Sequence, residues 1–195
     1  MDKVRVVLAE KDELMRRNLK DILTASGYLI VGEAEDGITA LQMIRTVQPE
    51  IVLTALDLPA KSGLELVKII DESRLAAVIL IVDYAQREFI QKAEENWSIP
   101  VLVRPFDQFH LISLLEYSYS TFNKMVGLER EIDRLKTGLE SRKTIEKAKG
   151  ILMRIHGLNE EEAFKKIQQQ SMRKRATMKN IAEAIIMTYE ISNNI

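Results

Sequence analysis

Along the first 120 residues, short apolar runs alternate with amphipathic stretches. Residues 4–9, 29–34, 51–56, 78–82 and 101–103 are rich in Val, Ile and Leu and predict strands. Most are apolar at successive positions rather than alternate ones, the pattern of a parallel sheet covered on both faces. Between them, Leu14, Leu19, Ile22 and Leu23 form one helical stripe ended by Gly27. Ala40, Leu41, Ile44 and Val47 form another, ended before Pro49, and shorter helices are predicted over 63–70 and 88–95. Five alternating strand and helix units predict a doubly wound, flavodoxin-like α/β domain over residues 1–120, whose chemistry belongs at the carboxyl ends of the strands.

Beyond Asp107 the strand pattern does not return. Heptads counted from Leu111 place Leu114, Met125, Leu128, Ile132, Leu135 and Leu139 on one seam, with Ser118 and Thr121 as weak members. Residues 109–141 therefore predict a coiled-coil linker helix through which two copies pair. A small all-α domain of three helices follows over 136–195, with helices through 145–155, 159–170 and 178–191. Gly157 marks the first break, and Asn159 before Glu160, Glu161 and Glu162 is an N-cap with acids in the first turn. Its expected core is Ile151, Leu152, Ile155, Leu158, Ala163, Phe164, Ile167, Ile181, Ala182 and Ile185.

Composition narrows the chemistry. With 195 residues and 46% apolar content the chain can bury one ordinary core and a smaller one. The absence of Cys excludes disulfides, thiolate catalysis and zinc–thiolate sites. The longest apolar run, 75–82, is too short to span a membrane. The start, Met-Asp-Lys-Val-Arg, leads straight into a strand without a signal-peptide pattern, so a cytoplasmic location is expected. Charge is divided unevenly: residues 1–120 hold 13 Lys+Arg against 19 Asp+Glu, net −6, and residues 121–195 hold 15 against 10, net +5. An acidic front and a basic back fit a chain whose C-terminal part meets a polyanion.

Several segments carry a family likeness: residues 4–13 (Val-Arg-Val-Val-Leu-Ala-Glu-Lys-Asp-Glu), 31–37 (Val-Gly-Glu-Ala-Glu-Asp-Gly), Leu58-Pro59 with Gly63, and Val103-Arg104-Pro105-Phe106. On these residues the front resembles the receiver domain of bacterial two-component response regulators. The resemblance implies phosphoryl transfer to an aspartate, which needs a carboxylate nucleophile, an acidic pair holding Mg²⁺, a hydroxyl and a lysine. Residue by residue, that machinery is missing. Ala55 falls in the acceptor slot, Glu10 keeps one acid of the metal pair but Lys11 replaces the other, Val82 takes the hydroxyl position and Arg104 the lysine position. An ammonium where a divalent cation belongs opposes metal binding, so no metal or cofactor is expected. Asp57, roughly 6–7 Å beyond Ala55 along an extended chain, is too far to replace the acceptor. Asp57, Asp12 and Asp83 read as loop acids, and Lys11 as a partner for Glu10.

The back carries Arg142-Lys143-Thr144-Ile145-Glu146-Lys147-Ala148-Lys149-Gly150-Ile151-Leu152-Met153, then His156-Gly157-Leu158, Glu161-Glu162-Ala163, Met172-Arg173-Lys174-Arg175 and Ile181-Ala182. It resembles the ANTAR output module, the antitermination domain of AmiR- and NasT-type regulators. That resemblance implies dimeric binding to paired hairpin loops in a leader transcript, preventing a terminator, and control by a ligand-sensing partner protein. The charges point the same way: Lys143, Lys147, Lys149, Arg154, Arg173, Lys174, Arg175 and Lys179 are the candidate RNA contacts, since phosphate contacts supply most nucleic-acid affinity. Phe164 and Tyr189 sit at helical spacing and read as core rather than stacking platforms. The expectation is a homodimeric RNA-binding antiterminator without enzymatic activity or membrane attachment. A phosphorelay protein using Asp57 or Asp12, a helix-turn-helix DNA-binding factor and a structural adaptor are the alternatives.

Overall fold

A computed structural model describes residues 3–86 and 99–193, with side chains to residue 191. The helix expected over 88–95 lies outside the described residues. The chain divides into two compact units, Met1–Val126 and Gly127–Ile195.

In the first unit the expected strands form as β1 (Arg5–Ala9), β2 (Leu29–Ala34), β3 (Ile51–Ala55), β4 (Ala77–Asp83) and β5 (Val101–Arg104). They make one parallel sheet in the order β2-β1-β3-β4-β5. Successive side chains point to opposite faces. Val7, Ala9, Val52 and Leu80 accordingly pack beneath α2 (Gly37–Val47) and α3 (Gly63–Glu72). Val6, Leu8, Leu53 and Ile79 pack against α1 (Glu13–Ala25) and the start of α4 (Gln108–His156), through Leu19, Leu23, Leu111 and Leu115. A 3-10 turn, Tyr84–Gln86, follows β4, and the Arg104–Pro105 peptide is cis.

Local chemistry sets the helix ends. The carboxylate of Asp12 accepts from Met15 N–H at 2.9 Å, Asp36 from Ile38 and Thr39, and Asp107 from His110 N–H at 2.8 Å. Ser62 and Glu65 form a capping box on α3. Gly27, at φ +91°, reverses the chain after α1 as its left-handed conformation requires. One assignment to the α1 stripe is corrected: Leu14 is 78% exposed, while Arg16, two residues on, is buried. Arg16 turns inward because Glu10 and Glu35 hold its guanidinium.

The second unit contains the end of α4 with α5 (Glu160–Lys174) and α6 (Met178–Asn193). Asn159 is the expected N-cap of α5 and with Glu162 forms a capping box, and Gly157, at φ +65°, separates α4 from α5. Ala148, Ala163 and Ala182 are fully buried, one on each helix, and with Leu152, Ile167 and Ile181 make a small core. Short side chains at those positions let the three backbones approach closely. Ile155, 53% exposed, and Phe164, 41% exposed, do not join this core. No helix among the described residues is long and apolar enough to cross a membrane.

Candidate functional site

At the carboxyl ends of the strands a cluster of charged side chains is built around Glu10. This side chain is almost fully buried, and its carboxylate accepts from Arg104 Nη2 and, at 3.0 Å, from Asp12 N–H. Arg104 Nη1 also donates to Asp83 Oδ1 at 3.2 Å, across paired residues of β4 and β5. Arg16 closes the near side, donating to the Glu10 carbonyl at 2.7 Å and to Glu35 at 2.8 Å. Lys11 reaches to Asp57 rather than to Glu10, because Arg104 already holds Glu10. The Asp57 hydrogen bond, and then the nearby carboxylates, hold the Lys11 ammonium above its usual pKa, so the cation stays charged.

Ala55 ends β3 and Val82 stands one residue before the end of β4, both buried in the apolar core. Gly63 presses against the end of β3: a Cβ there would lie 1.9 Å from the Ala55 carbonyl oxygen, so this approach requires glycine. The fold places Glu10, Lys11, Ala55, Val82 and Arg104 at or beside the carboxyl ends of β1, β3, β4 and β5. A divalent cation does not fit these residues. The acids that would surround it are neutralised by Arg104 and Lys11, and two protein cations would repel it. No nucleophile stands at Ala55. Asp12 caps α1, and Asp57 is tied to Lys11.

In the second unit the candidate RNA contacts separate into two groups. Lys147 is paired with Glu190 at 2.8 Å, Lys179 lies 3.9 Å from Glu183, and Arg154 donates to the Tyr189 hydroxyl at 3.3 Å. Lys149 departs furthest from the expectation of a solvent-facing phosphate contact. It is 6% exposed, and its Nζ donates to Glu146 and Glu160, each at 2.8 Å, tying α4 to the first turn of α5. These bonds raise the Lys149 pKa, chiefly through Glu146, and Lys149 in turn lowers that of Glu160. Lys143, Arg173, Lys174 and Arg175 are the exposed cations left for a polyanion. Arg175 ends α5 in the left-handed region, φ 51° and ψ 39°, where its N–H closes the last turn.

Sequence reasoning passed over Lys166 and Gln170. With Lys174 they recur every four residues on α5, a signal readable from the spacing, and all three border a groove floored by Leu152, Ile181 and Ile185. On α4, Leu128, Ile132, Leu135 and Leu139 are exposed along one stripe, with Met125 half-buried at its start.

Residues 6–116 match the response regulator receiver domain family, and residues 133–186 match the ANTAR domain family. The chain is 36% identical over 184 residues to the transcriptional regulatory protein PdtaR of Mycobacterium tuberculosis, covering 94% of this chain and 90% of that protein. The chemotaxis protein CheY of Thermotoga maritima is 28% identical over 112 residues, 57% of this chain and 93% of CheY. The receiver domain of NarL from Mycobacterium tuberculosis superposes with a TM-score of 0.57 at 21% identity, covering 62% of this chain and 98% of that one, a likeness of fold alone.

Proposed function

Because the chain belongs to the response regulators that join a receiver domain to an ANTAR domain, we propose that it pairs through the seam of α4 and binds hairpin loops of a leader transcript, suppressing termination. The receiver unit is then a pseudo-receiver, fixed by its own ion pairs and not switched by phosphorylation.

The observation that carries this reading is the cationic surface of the output unit. While neighbouring lysines are engaged by glutamates, Arg173, Lys174 and Arg175 gather at the exposed end of α5, and Lys143 is exposed on α4. Such a cluster is the footprint of phosphate binding. A hairpin loop offers splayed bases that a small helical unit can reach, whereas A-form duplex closes its major groove. The exposed stripe Leu128–Ile132–Leu135–Leu139 has the heptad spacing of a two-stranded coil. Two copies joined along residues 125–139 carry two output units, matching two adjacent hairpins; the first turns of the expected linker, with Leu111 and Leu115, are buried in the receiver core instead. Control then falls to a partner protein or to the amount of regulator, because the strand end at Ala55 offers phosphate no acceptor.

The reading is tested by single-round transcription in vitro from a template carrying two adjacent hairpins before a terminator. Added protein is expected to raise read-through severalfold, and to lose that effect when one hairpin loop is replaced. Unchanged termination at saturating protein contradicts the reading.

A further inference from the structure

The groove in the output unit encloses about 690 Å³, ample room for a nucleobase, and its make-up is specific. Its floor is apolar, and Ile155 stands at its edge largely open to water. Tyr189 bounds it from α6, with the Tyr189 hydroxyl fixed by Arg154. The opposite wall is the Lys166–Gln170–Lys174 ridge, which rises about 12 Å along α5. Unlike Lys147, Lys149 and Lys165, the ammonium groups of Lys166 and Lys174 have no carboxylate partner among the described residues. Unneutralised cations beside an open apolar trough are complementary to a nucleotide, whose base has apolar faces and polar edges and whose phosphate is anionic. The Gln170 amide can both donate to and accept from a base edge. A second copy fits less well, since it brings another unit from a region of net charge +5 against the same cations.

We infer that this groove receives one unpaired nucleotide of the hairpin loop, its base seated between Ile155, Ile185 and Tyr189 and its phosphates along Lys166 and Lys174. This rests on the RNA-binding reading above and adds to it the place where a base is read.

The test uses the full chain and a paired-hairpin RNA carrying 2-aminopurine at one loop position at a time. Binding is expected to change the fluorescence strongly at one loop position. Ala184→Trp, at an exposed groove residue, should abolish that change and weaken binding by about tenfold. Lys166→Glu with Lys174→Glu, which leaves the core untouched, should also weaken binding and reduce the salt slope by about 0.7 for each phosphate no longer neutralised. If the wild type binds tightly while no probe responds and the lysine variant binds normally, the inference fails and the RNA reading stands. If the wild type binds no hairpin RNA, both fall. A dimer that dissociates on Ala184→Trp makes the groove an interface between copies and overturns the inference. Should that variant not fold, unchanged affinity in the double lysine variant overturns it equally.

Discussion

Arg104 Nη2 donates to Glu10 Oε2, joining residues 94 positions apart at the carboxyl ends of β5 and β1. On the proposed reading, the bond sets a protein cation against the one acid kept from a receiver domain's metal-holding pair. Because Glu10 is 3% exposed, removing Arg104 leaves a buried carboxylate with the Asp12 N–H but no cation. Arg104→Ala is expected to destabilise the receiver unit by on the order of 3 kcal/mol. Adding Glu10→Gln to that variant should recover a large part of the loss. Urea denaturation of the two single variants and the double variant checks this, and simple additivity would contradict it.

On the proposed reading the same pairing leaves this site without phosphoryl chemistry. Incubation with acetyl phosphate and Mg²⁺ is expected to leave the intact mass unchanged, and Ala55→Asp alone should not create an acceptor while Lys11 and Arg104 remain. An acyl phosphate at Asp57, found by mass spectrometry, would overturn the account of a fixed receiver.

Lys149 connects α4 to α5 through Glu146 and Glu160. Glu160 has its pKa lowered below the usual 4.5, so its share of stability is present above that value and is lost as pH falls through the depressed one. Lys149 has its pKa raised above 10.5, so its share is complete below that value and is lost as pH rises through the raised one. Lys149→Gln should therefore lower the Tm of the output unit at neutral pH, with the gap to wild type closing as pH falls below about 4.5 and through the depressed Glu160 pKa. Circular dichroism melts measure it; a gap independent of pH would mean that the ion pairs do not contribute. Any drop in RNA binding by this variant follows from weakened structure rather than from a missing phosphate partner.

Arg175 holds a left-handed conformation that glycine adopts freely. Arg175→Gly is expected to stabilise the output unit by roughly 0.5–1 kcal/mol and to weaken RNA binding severalfold. Melting and equilibrium binding read the two effects on one variant. Unchanged affinity would remove Arg175 from the RNA surface.

Along the exposed seam, Leu128→Lys or Leu135→Lys should raise the dimer dissociation constant by at least about tenfold, because burial of one leucine is worth on the order of 1.5–3 kcal/mol. Sedimentation velocity measures this, and a dimer of unchanged affinity would place the interface elsewhere.

The fold was legible because burial leaves a periodic trace: fully apolar runs marked the strands of the parallel sheet, and Gly27, Gly157 and Asn159 marked helix ends through backbone and capping chemistry. The positions of Ala55 and Arg104 at strand ends were legible from the strand pattern. The pairing of the charges around them was not, since Lys11 meets Asp57 across 46 positions and only tertiary placement decides which carboxylate a lysine reaches. The output unit misled in both directions. Lys149 looked like a surface cation and is buried by two glutamates, while Ile155 and Phe164 looked like core and stand open. In a three-helix unit, apolar spacing does not distinguish a face turned to the core from one turned to a ligand.

The most direct test is equilibrium binding of the full chain, at one salt concentration, to an RNA with two adjacent hairpins, to a single-hairpin RNA and to duplex DNA. The account predicts clear preference for the paired hairpins, reduced to single-hairpin strength by Leu128→Lys. Equal, weak binding to all three would contradict it and leave a basic surface with no specific partner.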